Sequence, residues 1–220
     1  MSTRSFTVFA LFSVLLAAST AHAAPIFIQN AFNTGFPSDR EFDTLFADDF
    51  SIAASDTVRS VSWMGLYSPD NTAPAVDDFE IRFYADATGA PGVLLQTFAV
   101  GNAVARTAVG TLSTFTTYSY IGDLAAGFGI NAGTPYWLVI ANDTTGDNDN
   151  WFWAAQTSGG NAQFSLNDGG SWAPTLVDGA TVFTVGNGNV AVPEPASLLL
   201  VGIGVAAALR RKSRSSGTHN

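Results

Sequence analysis

The chain has 220 residues, no cysteine and a formal charge of −9. Disulfides, thiol chemistry and thiolate metal sites are excluded, so a core must hold the fold unaided. The only histidines are His22 and His219, near the two ends, which leaves the residues between them without Ser-His-Asp hydrolysis, imidazole proton shuttles or imidazole zinc sites.

The first element has the layout of a secretory signal peptide over residues 1–23. Met1 to Arg4 supplies one positive charge, Phe6 to Ala18 is an apolar run broken only by Thr7 and Ser13, and Ala21-His22-Ala23 is a small-x-small site for signal peptidase. The run is too short for a transmembrane helix. Cleavage before Ala24 leaves a mature chain; cleavage after Ala24 would put Pro25 first.

A body follows over 24–188, with a linker at 189–192. Between 24 and 192 the only basic residues are Arg40, Arg59, Arg82 and Arg106, against seventeen carboxylates, a formal charge of −13. Such a body repels nucleic-acid backbones and anionic lipid; it suits cation binding or solubility. Alternating β-formers recur between turn signals at Thr57–Gly65, Phe79–Tyr84, Leu94–Val100, Phe115–Ile121, Tyr136–Ala141, Trp151–Ala155, Ala162–Leu166 and Thr181–Val185. Many short strands with polar turns predict an all-β domain, a β-sandwich or jelly roll. No repeat near 40 residues supports a propeller. The stretch Phe79-x-Ile81-x-Phe83-Tyr84-Ala85-Asp86 with Gly89-Ala90-Pro91-Gly92, continued by Tyr136-Trp137-Leu138 and Trp151-x-Trp153, is similar to secreted bacterial β-sandwich domains.

Candidate chemistry in the body is sparse. With lysine and cysteine absent, most covalent catalysis disappears. Carboxylate pairs survive, yet Glu41 and Glu80 lie in no catalytic motif. Asp48-Asp49 and Asp77-Asp78 are adjacent pairs, which a strand points to opposite faces. The segment 142–150 is rich in oxygen ligands, and Asp143, Asp147 and Asp149 would supply three to a calcium ion; the alternative is a solvated turn, since the EF-hand spacing fails at Phe152 and Ser158. Trp151 and Trp153 share a strand face beside that loop and would form a sugar-stacking platform with Asn150 and Gln156; the alternative is core packing, expected for Trp63 and Trp137. Ser165-Leu166-Asn167-Asp168-Gly169-Gly170-Ser171-Trp172 resembles the Asp-box of sialidase propellers, with Asn167 for the motif's Asp and Ser171 for its Thr. The resemblance implies a structural hairpin with Trp172 packed below the turn.

The last elements are the most specific. Pro193-Glu194-Pro195 precedes an apolar run of 14 residues, Ala196 to Leu209, then Arg210-Arg211-Lys212 and Arg214. As a helix the run would span roughly 21 Å, short of the roughly 30 Å bilayer core, and Gly202 and Gly204 weaken it. The basic stop favours a cytoplasmic end. The two prolines hold an extended backbone that an active site can grip. Segment 193–214, with 215–220 as a short tail, resembles a PEP-CTERM sorting domain. The resemblance implies a Gram-negative source, an exosortase-type membrane transpeptidase that recognises the Pro-Glu-Pro, and transient residence in the inner membrane.

Together these features lead us to expect an exported cell-surface or extracellular-matrix protein. Its expected role is non-enzymatic: a structural or adhesive component of a polysaccharide-rich, biofilm-type matrix. The alternatives are a carbohydrate-binding module, calcium-assisted through the 142–150 loop, and a glycan hydrolase using two Asp residues.

Overall fold

Tyr136–Ala141 reads Tyr-Trp-Leu-Val-Ile-Ala, and all six residues are buried. A strand with no polar face must be covered on both sides, and that demand organises the molecule. The computed structural model describes residues 25–176 and 178–188. The expected signal peptide with Ala21, Ala23 and Ala24, and the tail with Pro193, Glu194, Pro195, Arg210, Arg211, Lys212 and Arg214, lie outside the described residues.

The strands are β1 (Pro25–Gln29), β2 (Thr34–Pro37), β3 (Leu45–Phe50), β4 (Asp56–Ser68), β5 (Phe79–Asp86), β6 (Pro91–Gly101), β7 (Ala105–Leu112), β8 (Phe115–Ile130), β9 (Tyr136–Ala141), β10 (Asn150–Gln156), β11 (Gln163–Ser165), β12 (Ala173–Pro174), β13 (Ala180–Thr181) and β14 (Phe183–Gly186). A 3-10 turn at Arg40–Phe42 is the one helical element among the described residues. Two antiparallel sheets pack face to face as a sandwich. The first has the order β12-β11-β3-β9-β5-β6. The second is built around the long β4, which pairs with β8 along one side; on the other it pairs first with β14, Ser60 to Trp63, then with β10, Gly65 to Ser68. Beyond these lie β1 against β14, β2 against β10 and β7 against β8. The described residues form fourteen strands, an all-β two-sheet architecture.

The core between the sheets is aromatic. Phe79 and Phe83 of β5 point across to the second sheet. Phe79 packs edge-on against Trp63, Tyr120 and Trp151 at ring-centroid distances of 5.1, 4.9 and 5.1 Å. Phe83 stacks on Phe128 at 4.2 Å. These offset and edge-to-face contacts are the favoured aromatic geometries. Strand alternation puts Phe46 and Phe50 of β3 in this core, while Leu45 and Ala47 face the other way. There they join Tyr84, Trp137, Val139 and Ala141 in a second apolar layer, closed by Trp172. The second layer covers the far face of β9.

Gly65 marks the tightest point. A methyl group built on it would sit 2.5 Å from the Trp151 indole, and Trp151 is fully buried with no room to retreat. Gly65→Ala is therefore expected to lower unfolding free energy by about 1–3 kcal/mol in urea titration, the usual cost of overpacking. Gly129→Ala, where the added methyl meets open space, should leave the urea midpoint close to wild type. Equal midpoints for both variants would refute this account of the core.

Candidate functional site

The tryptophans settle first. Trp63, Trp137, Trp151 and Trp153 are all at most 1 % exposed. Trp151 and Trp153 do share one face of β10, but it is the inward face: Trp151 meets Phe79, and the Trp153 indole N–H donates to the Val182 carbonyl at 2.8 Å. The sugar platform expected at Trp151 and Trp153 is corrected to core packing. The reason is that β10 lies between β2 and β4 with its aromatic face on the opposing sheet, so no ring face meets solvent.

The 142–150 segment is tied down by its buried residues. Asn142 and Thr144 are fully buried and Asp149 is 1 % exposed, whereas Asp147 is exposed. Asp149 accepts the backbone N–H groups of Asp70 and Thr72. Asp143 accepts the Thr145 N–H at 3.1 Å and lies 3.6 Å from the Arg40 guanidinium. Hydrogen bonding from Thr145, with the Arg40 charge adding, holds Asp143 below the ordinary carboxylate range. Asp149 and Asp143 are thus engaged by different parts of the protein, while Asp147 is exposed. Among the described residues no group of three or more His, Asp and Glu side chains is placed to hold a metal ion.

Three other buried carboxylates join the elements. Asp39, 1 % exposed, accepts the Glu41 N–H, the Thr144 N–H and hydroxyl, and the Trp151 N–H, all within 3.3 Å. It locks the turn after β2 to the loop before β10. Asp77, 3 % exposed, receives the Tyr67 hydroxyl, the Asn142 amide and Arg106, which approaches to 3.0 Å. Burial, then the neighbouring Tyr120 and Asp77, push the Tyr67 hydroxyl far above its ordinary range, so it acts as a neutral donor. Arg106 also lies over the Tyr118 ring at 5.5 Å.

Asp48 projects from β3 into the sandwich beside Phe46 and Phe50, and is 1 % exposed. Its Oδ2 accepts Gln29 Nε2 at 2.7 Å and both the N–H and hydroxyl of Thr181, so it joins the two sheets. Burial pushes Asp48 up to about 7, against hydrogen bonds from Thr181 and Gln29 that pull it down. A cleft of ≈ 470 Å³ opens alongside, between Gln29, Asp49, Gly159 and Asp178. Asp49 points from the other face of β3, as strand geometry requires, but its N–H donates to Asp48 Oδ1 and both residues border the cleft. Asp77 and Asp78 likewise diverge: Asp77 is buried, while Asp78 reaches outward to Arg40 at 2.9 Å.

The outer face of the first sheet carries a charge ladder. Arg40 bridges Asp78 and Glu80, Arg82 pairs with Glu80, and its Nη2 meets Asp168 at 2.8 Å. Asp168 belongs to the hairpin between β11 and β12, where Asn167 Oδ1 accepts the Ser171 N–H at 2.9 Å and Ser165 Oγ accepts the Gly169 N–H at 2.9 Å. Gly169 has φ +84°, and a side chain there would meet Tyr84 Oη at 2.7 Å and the Trp172 ring at 3.4 Å. The turn therefore sits over Trp172, as the Asp-box resemblance implies, and serves to close the second apolar layer.

Sequence reasoning missed Asp39 altogether, and it named the Asp77-Asp78 pair and the segment from Asn142 without their fastening role. Their only local signal is that each adjoins a loop rich in donors, and the donors come from strands far along the chain. Arg106 offered a better one, as the single charge between Ala87 and Gly122.

Residues 191–213 match the family model of the PEP-CTERM protein-sorting motif. The motif implies an exported protein targeted to an exosortase. No curated protein and no solved structure matches the chain.

Two measurements test these assignments. Calcium and chelator are expected to leave the melting midpoint unchanged; a rise of several degrees with calcium would mean that the loop rearranges to gather its carboxylates. The second concerns pH. In the unfolded chain Asp48 titrates near 3.8, so from there to about 7 the folded state holds a proton that the unfolded state has lost. The contribution of this group is fully present below pH 4 and is lost as pH rises to 7, by roughly 4 kcal/mol. Asp48→Asn should flatten the dependence of stability on pH across that window; an unaltered slope would overturn the assignment.

Proposed function

We propose that the body is a non-enzymatic structural or adhesive component of the cell surface or of a polysaccharide-rich extracellular matrix. The sorting motif at 191–213 carries this reading, because it follows directly on a body that ends its last described strand at Gly186. Residues 1–23 act as a signal peptide removed before Ala24. The apolar run from Ala196 to Leu209 holds the chain in the inner membrane, with Arg210, Arg211, Lys212 and Arg214 on the cytoplasmic side, until an exosortase acts at Pro193-Glu194-Pro195.

The non-enzymatic assignment draws support from the carboxylates. Asp39, Asp48, Asp77 and Asp149 each receive donors from the protein itself and are at most 3 % exposed. A general acid or nucleophile must reach its substrate; Asp39, Asp77 and Asp149 are enclosed, and Asp48, although it borders a cleft, has its Oδ2 taken by Gln29 and Thr181. With Trp151 and Trp153 in the core, the carbohydrate-module alternative loses the platform on which it stood.

Fractionation of an exosortase-encoding bacterium tests the reading. A shortened chain should be recovered outside the cell. Deleting the exosortase gene, or replacing Pro193-Glu194-Pro195 with alanines, should leave a longer, membrane-associated form. Recovery of the uncut chain from the cytosol would overturn the proposal.

A further inference from the structure

The body carries an apolar cleft of ≈ 310 Å³ where β2 of one sheet meets β3 and β11 of the other. Its floor is aromatic: Phe46 stacks on Phe36 at 4.7 Å and on Phe164 at 6.0 Å. Its lip is formed by Leu166, 67 % exposed, and Leu176, fully exposed. None of the described residues lining it is charged. Its surroundings are acidic. Glu41 and Asp43 are exposed just before Thr44, which lines the cleft, and Asp178 is exposed just after Leu176. A ligand for this place needs apolar side chains for the floor and positive charge for the rim.

The chain itself supplies such a segment. Ala196 to Leu209 is apolar, and Arg210, Arg211, Lys212 and Arg214 follow it, four of the nine Lys and Arg residues in the sequence. As a helix the run spans roughly 21 Å against a bilayer core of roughly 30 Å, so its hold on a membrane is marginal. Leaving the same side chains in water is costly. The tail also starts within reach. The Gly188 carbonyl accepts the Ser60 hydroxyl on β4. Further along β4, Gly65 pairs with Trp153, and Trp153 pairs with Phe36 at the cleft. At roughly 3.3 Å per strand residue and 4.8 Å between strands, the cleft is about 20 Å from Gly188. Residues 189–195 cover up to roughly 23 Å when extended.

We propose that this cleft receives the chain's own tail when the tail is out of the bilayer, with side chains of the 196–209 run on the aromatic floor and the 210–214 cluster against the acidic rim. Charge and tethering select this occupant over others. A second body, of formal charge −13, brings acid to an acidic rim. A fatty acyl chain has no use for the rim, and an anionic headgroup is repelled by it. The tail satisfies floor and rim together. Its tether gives it an effective concentration in the millimolar range, so a contact too weak to capture a free peptide still fills the cleft. The docked tail is reversible by the same arithmetic, and a membrane that accepts the run competes with the cleft for it. The inference goes beyond the matrix reading above. Its test involves neither membrane nor exosortase, so its outcome is separate from that of the export reading.

The test is nuclear magnetic resonance of residues 24–220 in dilute aqueous buffer. The chain has no cysteine, so Ser197→Cys carries a spin label at one point of the tail. The amide signals of Phe164, Leu166 and Leu176 should broaden, and those of β7, on the far side of the second sheet, should not. Isotope-labelled chain without the spin label, mixed with spin-labelled chain of natural abundance, should show no broadening. Leu176→Asp and Leu166→Asp should each cut the docked population about threefold or more, through lost apolar contact. Added acid would strengthen a contact made by charge alone. Replacing Arg210, Arg211 and Lys212 with Glu should weaken docking as well, which a contact made by apolar side chains alone would not do. Leu166 and Leu176 are exposed, so both variants should keep the wild-type amide spectrum elsewhere; if one does not, the other decides. Broadening spread evenly over the body, broadening that passes between copies, or a docked population indifferent to the Asp variants or to the charge reversal would each overturn the proposal.

Discussion

Phe79 is the residue through which the two sheets hold each other. It leaves β5 and enters a box made by Trp63, Tyr120 and Trp151, all from the opposite sheet. With no disulfide to share the load, this edge-on contact and the Phe83–Phe128 stack must align fourteen strands. The aromatic box imposes demands on its surroundings. Gly65 must stay bare beneath Trp151, and Asp39 must meet the Trp151 N–H so that β10 enters the sheet in the right register.

The acidic composition serves two purposes. Part of it is solvated charge, as at Asp147. Another part is internal fastening: Asp39, Asp77 and Asp149 collect backbone and side-chain donors from segments distant in sequence, and Asp48 joins one sheet to the other. Each is a buried charge or acid that would be costly alone and is tolerated because its oxygens are satisfied. Such residues make loop geometry depend on the whole fold, and Asn142, Thr144 and Asp149 tie the 142–150 segment into the scaffold.

Alternation and turn chemistry were enough to place most of the architecture. All eight expected strands correspond to observed ones, and Tyr136–Ala141 agrees at both ends. The strands β1, β2, β3, β7 and β12 had no counterpart among the expected ones, and β3 and β7 show two different reasons. β3 carries Asp48 and Asp49 side by side, which breaks any apolar period, and its inward Asp48 is intelligible only once Gln29 and Thr181 arrive from the other sheet. β7 is small, polar and Gly-containing, with no buried face to leave a pattern. The site was less legible than the fold. Trp151 and Trp153 were correctly placed on one strand face, but which face looks inward is decided by sheet order, not by local sequence. For the oxygen-rich loop, composition reports ligand atoms and not where they point: Asp149 accepts the backbone N–H groups of Asp70 and Thr72, which no local pattern announces. The tail was the reverse case: Pro193-Glu194-Pro195, the apolar run and the arginines form a linear address, readable without any fold.

The first and last strands of the body are neighbours. Pro25 lies opposite Gly186, and β14 is enclosed between β1 and β4, with Ser60 holding the Gly188 carbonyl at 2.8 Å just beyond. Both ends therefore emerge at one pole. Traction applied through the carboxyl end would not peel a marginal ribbon away; it would load two hydrogen-bonded seams together, the arrangement by which a tethered bead resists being unravelled.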